Sequence, residues 1–471
     1  MGGKDSISNL PDEVLGKILS LLPTKLVVST WVLSKRWRNV FPLVDTFDHR
    51  PTTTPGGPSF VSFISKHIFL KPSTHIKKFS LTCQPGEHSN CLIQTVLERG
   101  CLELHVQCNL THSLGIIVFE RNTLVKLTLS DGLHLCNHKQ NFDVRVDLDR
   151  APYFPSLRSL SLGAVSVGAD LFKLLIWHCP VLEELFIRDD DADLSTWQGF
   201  VSSESLKRLV VSVVNLPNDD VWLFAPALVF LDYSSCVPCY FGEVVLDSLV
   251  EARLDVRFWE SPTDDDDDDD DDDDVCGYFD GDVTNLVAGI SNITTLHLSP
   301  NSLEVFHWCC KTMPVFNNLL RLSIESDKEK GWQIVPLLLN KSPNLQTLVI
   351  KGLVHKVTNG CGDVCPCNPS KRRKKRKRMM KEEEKEVEED EDEDDTSCCL
   401  WTCQVKFLEI SGYRGTRREH KQMRHFLGKL KYLETVNVGL HQEVKSLSYL
   451  RVTSDLKKLR SVSPTSQIHF L

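Results

Sequence analysis

The sequence predicts a mixed α/β chain, in which a small helical unit precedes a solenoid of short stacked strands. Two observations carry this. From Asp5 to Val40, apolar residues recur at helical spacing in two runs, with a short basic-aromatic third. Behind them the pattern apolar-x-x-apolar-x-apolar returns thirteen times in order, and each time it sets its last two apolar side chains on one face of a short strand.

In the helical unit, Pro11 suits a first turn, where its missing N–H goes unneeded, and Val14, Leu15, Ile18, Leu19 and Leu22 follow at helical spacing. Leu22-Pro23 closes that helix and Thr24 can cap the next. Val27, Val28, Trp31 and Val32 form the second apolar face, and Ser34 offers a cap to a third helix through Lys35-Arg36-Trp37-Arg38. At about 1.5–3 kcal/mol per buried large side chain, covering the first stripe is worth on the order of 10 kcal/mol. So short a unit cannot bury that stripe alone; either a partner polypeptide or the rest of the chain must cover it.

Leu10-Pro11-Asp12-Glu13, Ile18-Leu19, Leu22-Pro23-Thr24-Lys25 and Val32-Leu33-Ser34-Lys35-Arg36-Trp37 together resemble the F-box. The resemblance implies docking onto the adaptor subunit of a cullin-based ubiquitin ligase. Carried over position by position, Leu10, Pro11, Val14, Ile18, Leu19, Leu22, Val32, Leu33 and Trp37 are expected to pack against that adaptor or to hold the helices that do. Leu26 and Trp31 depart from the family pattern, which has an acidic and a small polar residue there.

Asp45 to Ser59, rich in Pro, Thr and Gly, reads as a linker, and Phe60 to Leu70 as a helix through Phe60, Phe63, Ile64 and His67. The repeats then run from Ile76-Phe79-Leu81 to Leu433-Val436-Val438. Starts between Leu157 and Leu249 are 25, 24, 22 and 21 residues apart, and Ile293, Leu319 and Leu345 are 26 apart, the period of a leucine-rich repeat. Returns such as Ala169 to His178 read as helical. One repeat has one apolar face and closes no core, so neighbours must stack. The two longest gaps hold low-complexity tracts, which reads as insertion.

The repeats and tail resemble plant F-box proteins with leucine-rich repeats that end in a unit called the FBD domain. Val405 to Gly415 looks like that unit's first strand and glycine turn, and Thr416 to Lys429 like its helix, burying Met423, Phe426, Leu427 and Leu430. Ser463 to Phe470 resembles its closing strand, with Ser466 where cysteine is common. The resemblance divides the chain into an F-box at 4–50, a linker and first helix at 51–70, leucine-rich repeats at 71–355 with an acidic insert at 260–282, a disordered charged insert at 356–397 and an FBD-like unit at 398–471.

Composition narrows the function classes. The chain has 471 residues, 41% of them hydrophobic, enough for a large core, and no stretch of eighteen apolar residues that would read as a membrane span. The N-terminus lacks the apolar core of a secretion signal, which leads to an intracellular expectation. Seventeen cysteines spread over so long a chain read as free thiols rather than a disulfide framework. The formal charge of −10 is local: the Asp264–Asp274 run contributes −11 and Lys371–Asp395 contributes −2, which leaves the remainder at +3. A near-neutral body offers no nucleic-acid or membrane surface, so nucleic acid is an unlikely partner from composition.

Lys371, Arg372, Arg373, Lys374, Lys375, Arg376, Lys377 and Arg378 form an unbroken cationic run. It matches a nuclear-import signal, from which nucleus and cytoplasm are the expected locations. With the acidic Glu382–Asp395 beside it, a solvated loop of paired charges is the other reading, and a nucleic-acid contact the third. The polyaspartate run lacks the spaced ligands and glycine turn of a calcium loop. Cys361, Cys365, Cys367, Cys398, Cys399 and Cys403 offer thiolates enough for zinc, at spacings unlike the usual paired knuckles. No phosphate loop, nucleophile elbow or paired metal-ligand motif is present, so no metal, no cofactor and no catalysis are expected of this chain.

The reading that unites these features is a non-catalytic substrate receptor of a ubiquitin ligase, with adaptor and cullin held through the F-box and an unknown protein client held by the repeats. Client-facing side chains should alternate with the buried leucines, which selects Glu184, Phe186, Arg188, Arg208, Phe230, Asp232, His297 and Arg321. Phe186 and Phe230 have the character of binding anchors. A nuclear scaffold holding histones or nucleic acid through the charged runs is the alternative.

Overall fold

The computed structural model describes residues 7, 9–49, 75–83, 89–108, 111–115, 119, 123–136, 154–189, 196–214, 220–258, 281–366, 399–442, 446–459 and 467–470. The Phe60–Leu70 helix, the polyaspartate run, Lys371–Arg378, Cys367, Cys398 and Ser463–Ser466 lie outside them. The chain forms two compact units, Met1–Pro217 and Asn218–Leu471.

The first unit opens with helices α1 (Asp12–Leu19), α2 (Thr24–Ser29) and α3 (Lys35–Val40), with short 3-10 turns at Thr30–Val32 and Phe41–Leu43. Strands β1 (Thr46–His49) and β2 (Lys78–Cys83) follow, then helix α4 (Ser89–Glu98), β3 (Glu103–Cys108), β4 (His112–Gly115), β5 (Lys126–Cys136), β6 (Ser159–Val167), helix α5 (Ala169–Trp177), β7 (Glu184–Asp189), β8 (Phe200–Ser202) and β9 (Arg208–Val213). Strands β1, β2, β3, β5, β6, β7 and β9 lie side by side, all parallel. One register runs through them, Phe47 beside Phe79, Leu104, Leu127, Leu160, Leu185 and Leu209, and every one of these side chains is buried.

The second unit comprises β10 (Val221–Phe224), β11 (Phe230–Cys236), β12 (Phe241–Val245), β13 (Glu251–Arg257), α6 (Thr284–Gly289), β14 (Thr295–Leu298), α7 (Pro300–Cys309), β15 (Arg321–Glu325), α8 (Val335–Asn340), β16 (Thr347–Lys351), α9 (Cys399–Thr402), β17 (Phe407–Tyr413), α10 (Arg417–Lys429), β18 (Thr435–Leu440), α11 (Ser446–Lys458) and β19 (Gln467–Phe470). Its parallel register sets Leu231 beside Ala252, Leu296, Leu322, Leu348, Leu408, Val436 and Ile468. Returns here are partly extended: β10 and β12 pair parallel with each other, where the sequence suggested helical or irregular chain. The α7 return is pinned by polar ties. Ser302 is fully buried, donates to Leu254 O at 2.9 Å and accepts from Val256 N at 2.8 Å, while Asn301 donates to Asp255 Oδ1 at 2.9 Å.

In all thirteen template matches the last two apolar positions fall on a strand, and all three apolar positions of every match are buried. The physical cause is the parallel register: a period of two sends alternate side chains to one face, and stacking aligns those faces into one continuous core closed by the returns. The expected helix through Thr416 is also present, as α10 with Thr416 at its N-cap accepting from Glu419 N at 3.3 Å, and Met423, Phe426, Leu427 and Leu430 are buried.

Two expectations need correcting. Residues 46–49, read as the start of a linker, form β1, because Phe47 fills the first place of the buried ladder and pairs with Phe79. Lys356 to Pro366, assigned to the disordered insert, is folded. Lys356 bridges to Gly331, a 3-10 turn runs Asn359–Val364, and Cys361 and Cys365 are buried beside α8 and α10. Gln422 Nε2 donates to Val364 O at 2.6 Å and fixes that turn to α10.

Candidate adaptor-docking face and repeat surface

The hairpin's apolar stripe divides in two. Leu15 and Leu19 point inward at 1% exposure, with Val27, Val40, Phe41, Val44 and Phe47. Trp31 lies edge-on to Phe41 with ring centroids 5.2 Å apart, and Phe41 in turn packs on Phe47 at 5.7 Å. This aromatic chain carries the hairpin onto the strand ladder, and explains why Trp31 stands where the family pattern is small. Gly16 lets α1 approach closely: a Cβ there would sit 2.7 Å from Leu43 Cβ and 2.9 Å from its carbonyl oxygen.

Polar ties complete the anchor. Arg36 Nε donates to Asp12 Oδ1 at 2.8 Å and its Nη2 to the Leu10 carbonyl, which closes α3 onto the start of α1. Ser20 Oγ accepts from Asp45 N at 3.0 Å. Thr24, expected to cap α2, is instead its first residue, fully buried, and its Oγ1 accepts from Asp48 N at 2.7 Å. Pro11 likewise stands at the N-cap of α1 rather than inside the first turn, and Ser34 at the N-cap of α3 makes no side-chain cap bond. Asp45 feels burial, which raises its pKa, but hydrogen bonds from Lys77, Ser20 and Thr46 outweigh it and hold the carboxyl below its ordinary value.

The other half of the stripe stays open. Val14, Ile18 and Leu22 are exposed along α1 and its end, Val32 is 84% exposed and Leu33 65%. Leu21, at 86%, with Leu26 and Leu43, extends the patch at positions that the helical spacing does not select. Leu10 and Trp37 are half-buried and Pro11 exposed. Of the nine residues assigned to adaptor docking, Leu19 alone is sealed, so it holds α1 in place rather than offering contact. Where the hairpin turn meets the strands, Ser20, Leu22, Pro23, Asp48, Ser80, His105 and Thr128 line a cleft of about 470 Å³, across which His105 bridges Ser80 Oγ at 3.2 Å and Ser130 Oγ at 3.3 Å.

None of the eight assigned client-facing residues is buried. In the first unit Phe186 stands between Ser161 and Val210, Glu184 lies opposite Arg208, and Arg188 is exposed. In the second, Asp232, Arg253, His297, Ser323, Val349 and Glu409 share one ladder, in which Ser323 and Val349 are buried. The Arg253 guanidinium sits 5.4 Å from the Phe230 ring centre and bonds Glu251 at 2.8 Å, and His297 Nε2 lies 3.5 Å from the same carboxylate. Burial lowers the His297 pKa despite Glu251, so the ring is held neutral at neutral pH. Arg321 reaches past β16 to Glu409 with a two-pronged contact, Nη1 to Oε1 at 3.2 Å and Nη2 to Oε2 at 2.6 Å. Arg253 and Glu409 occupy the same alternating position as Asp232 and His297, so the pattern could have found them.

The cysteines divide likewise. Cys361, Cys365, Cys399 and Cys403 are buried, and hydrogen bonds from Cys365, then from His355 and Thr358, outweigh burial and hold the Cys361 thiol well below its ordinary value. Among the described residues, no three His, Cys, Asp or Glu side chains are gathered so as to hold a metal ion, and no helix is long and apolar enough to cross a membrane.

Comparison with known families agrees with this geometry. The F-box domain model matches residues 7–47, the hairpin and the start of β1, and the model described as FBD-associated F-box protein At5g56370, LRR repeats, matches 93–235. The chain is similar over its full length to two proteins of Arabidopsis thaliana, at 47% identity to putative F-box protein At1g64540 and 48% to F-box/LRR-repeat protein At5g35995, each covered completely. It is 48% identical to F-box/LRR-repeat protein At1g48400 of the same plant, across 99% of this chain and 98% of that one.

Proposed function

This chain belongs to the F-box/leucine-rich-repeat proteins, and from that premise we propose that it is the substrate-recognition subunit of an SCF-type (cullin–RING) ubiquitin ligase. The open hairpin docks the adaptor, and the alternating side chains of the repeat strands hold a protein client. The chain supplies no chemistry. Tethering raises the effective concentration of client lysines beside the charged partner enzyme, which converts an encounter into a local event. Lys371–Arg378 serves nuclear import, and the protein works in nucleus and cytoplasm.

The observation that carries this reading is the half-open stripe. Exposed apolar patches of this kind mark interaction sites, and this one sits on a hairpin whose inner half is already anchored, so covering it needs no refolding. Val32→Asp tests it: at 84% exposure the change leaves folding alone, whereas a carboxylate buried without a partner in an apolar interface weakens binding by about a hundredfold or more. The measurement is adaptor binding by calorimetry with thermal melting alongside. Undiminished adaptor binding by both Val32→Asp and Ile18→Asp would sink the assignment.

A further inference from the structure

Helix α10 carries an exposed cationic face. Arg417, Lys421 and Arg424 stand at i, i+4 and i+7 on one exposed line, about 10 Å long at the helical rise, with Arg418 exposed beside it. The helix's single acidic residue, Glu419, is buried and bonded to the backbone of Arg414 and Thr416. Lys421 donates to Pro366 O at 3.2 Å, while Arg417, Arg418 and Arg424 have no hydrogen-bond or ion-pair partner among the described residues. Arg417 and Arg418 also lie in the first turn, where the positive end of the helix disfavours cations. The isolated fold gains nothing from them there.

We propose that this face of α10 docks an acidic polypeptide segment of a partner protein. The inference goes beyond the receptor reading and does not need it. Arg supplies most of the line, and its planar fork matches carboxylates two bonds at a time. Asp or Glu residues at matching spacing would meet Arg417 and Arg424 at once, with Arg418 beside them. A nucleic-acid duplex fits worse: it would extend well past a face of this length onto a near-neutral body, whereas a short acidic segment within a screening length of about 8 Å senses the face alone. The fold can hold the surface rigid, since Gln422 and His425 bond the backbone of Val364 and Asp363 and the apolar side of α10 is buried.

The test is fluorescence anisotropy with the full chain and a labelled twelve-residue polyglutamate peptide. Binding should weaken about tenfold or more in Arg417→Glu with Arg424→Glu, and severalfold between about 50 and about 200 mM salt. If that variant melts early, Arg417→Gln with Arg424→Gln replaces it, with about a threefold loss expected. Adaptor binding should be unchanged in both, which separates this proposal from the receptor reading. Three results would overturn it: peptide binding indifferent to these substitutions, tighter binding of a DNA oligonucleotide of equal charge, or peptide binding that emerges only after deletion of Glu382–Asp395, which would make the chain's own acidic run the occupant.

Discussion

The hairpin and the repeats are built from the same kind of apolar stripe, yet they end in opposite states. In the repeats every template leucine is buried. In the hairpin only the inner half is sealed, by Phe41, Val44 and Phe47, and the outer half from Val14 to Leu33 stays open. The difference is one of neighbours. A strand in a parallel stack has another strand beside it and a return over its apolar face, whereas α1 packs on α3 and Phe41–Leu43 on one side and meets solvent on the other. A stripe therefore tells that something must cover it, and only its surroundings tell whether the cover is the chain itself.

The sharpest way to break this comparison is truncation on each side of it. Leu231→Ala, at a fully buried ladder position, should lower stability by about 2–5 kcal/mol, while Val32→Ala should stay within about 0.5 kcal/mol, both read from urea unfolding. Equal losses would mean that the hairpin is packed as tightly as the repeats. A smaller effect tests how the hairpin is fixed. Thr24→Val keeps the shape but removes the buried acceptor for Asp48 N, and should cost about 1–3 kcal/mol in the same experiment.

The smallest effect concerns pH. Burial raises the Asp255 pKa, but hydrogen bonds from Ser299, Asn301 and Ser234 together with Arg257 outweigh it, and the net value falls below the ordinary 3.8. A lowered carboxylate stabilises the fold above the unfolded-state pKa, and that contribution is lost as pH falls below about 3.8 through the folded value. The urea midpoints of wild type and Asp255→Asn should therefore differ near neutrality and converge in acid. A gap that persists in acid would remove the carboxylate's charge from the account of how the α7 return is pinned.

Much of this was legible from residues alone. The strand ladder followed from Leu157-Leu160-Leu162 and its twelve counterparts, because spacing along a strand is a local property. Helix α10 followed from the resemblance at Thr416 to Lys429, and its N-cap and helical residues lie within that stretch. The eight client-facing candidates came from alternation and remained open to solvent, although alternation could not say that Arg321 is engaged with Glu409. Pro- and Thr-rich composition concealed β1, since one phenylalanine carried the only signal.

By itself the sequence determined the family, the thirteen repeat strands in order, and which of their side chains are buried, since all of these rest on contacts between near neighbours or on a repeated period. The tertiary structure decided the rest. It chose which half of the hairpin stripe stays open, turned Thr24 from a cap into a cross-link, folded Lys356–Pro366 against α8 and α10, and joined Arg321 to a carboxylate 88 residues away. Each of those depends on partners that only the stacking of repeats brings within reach, and a linear pattern carries no record of them.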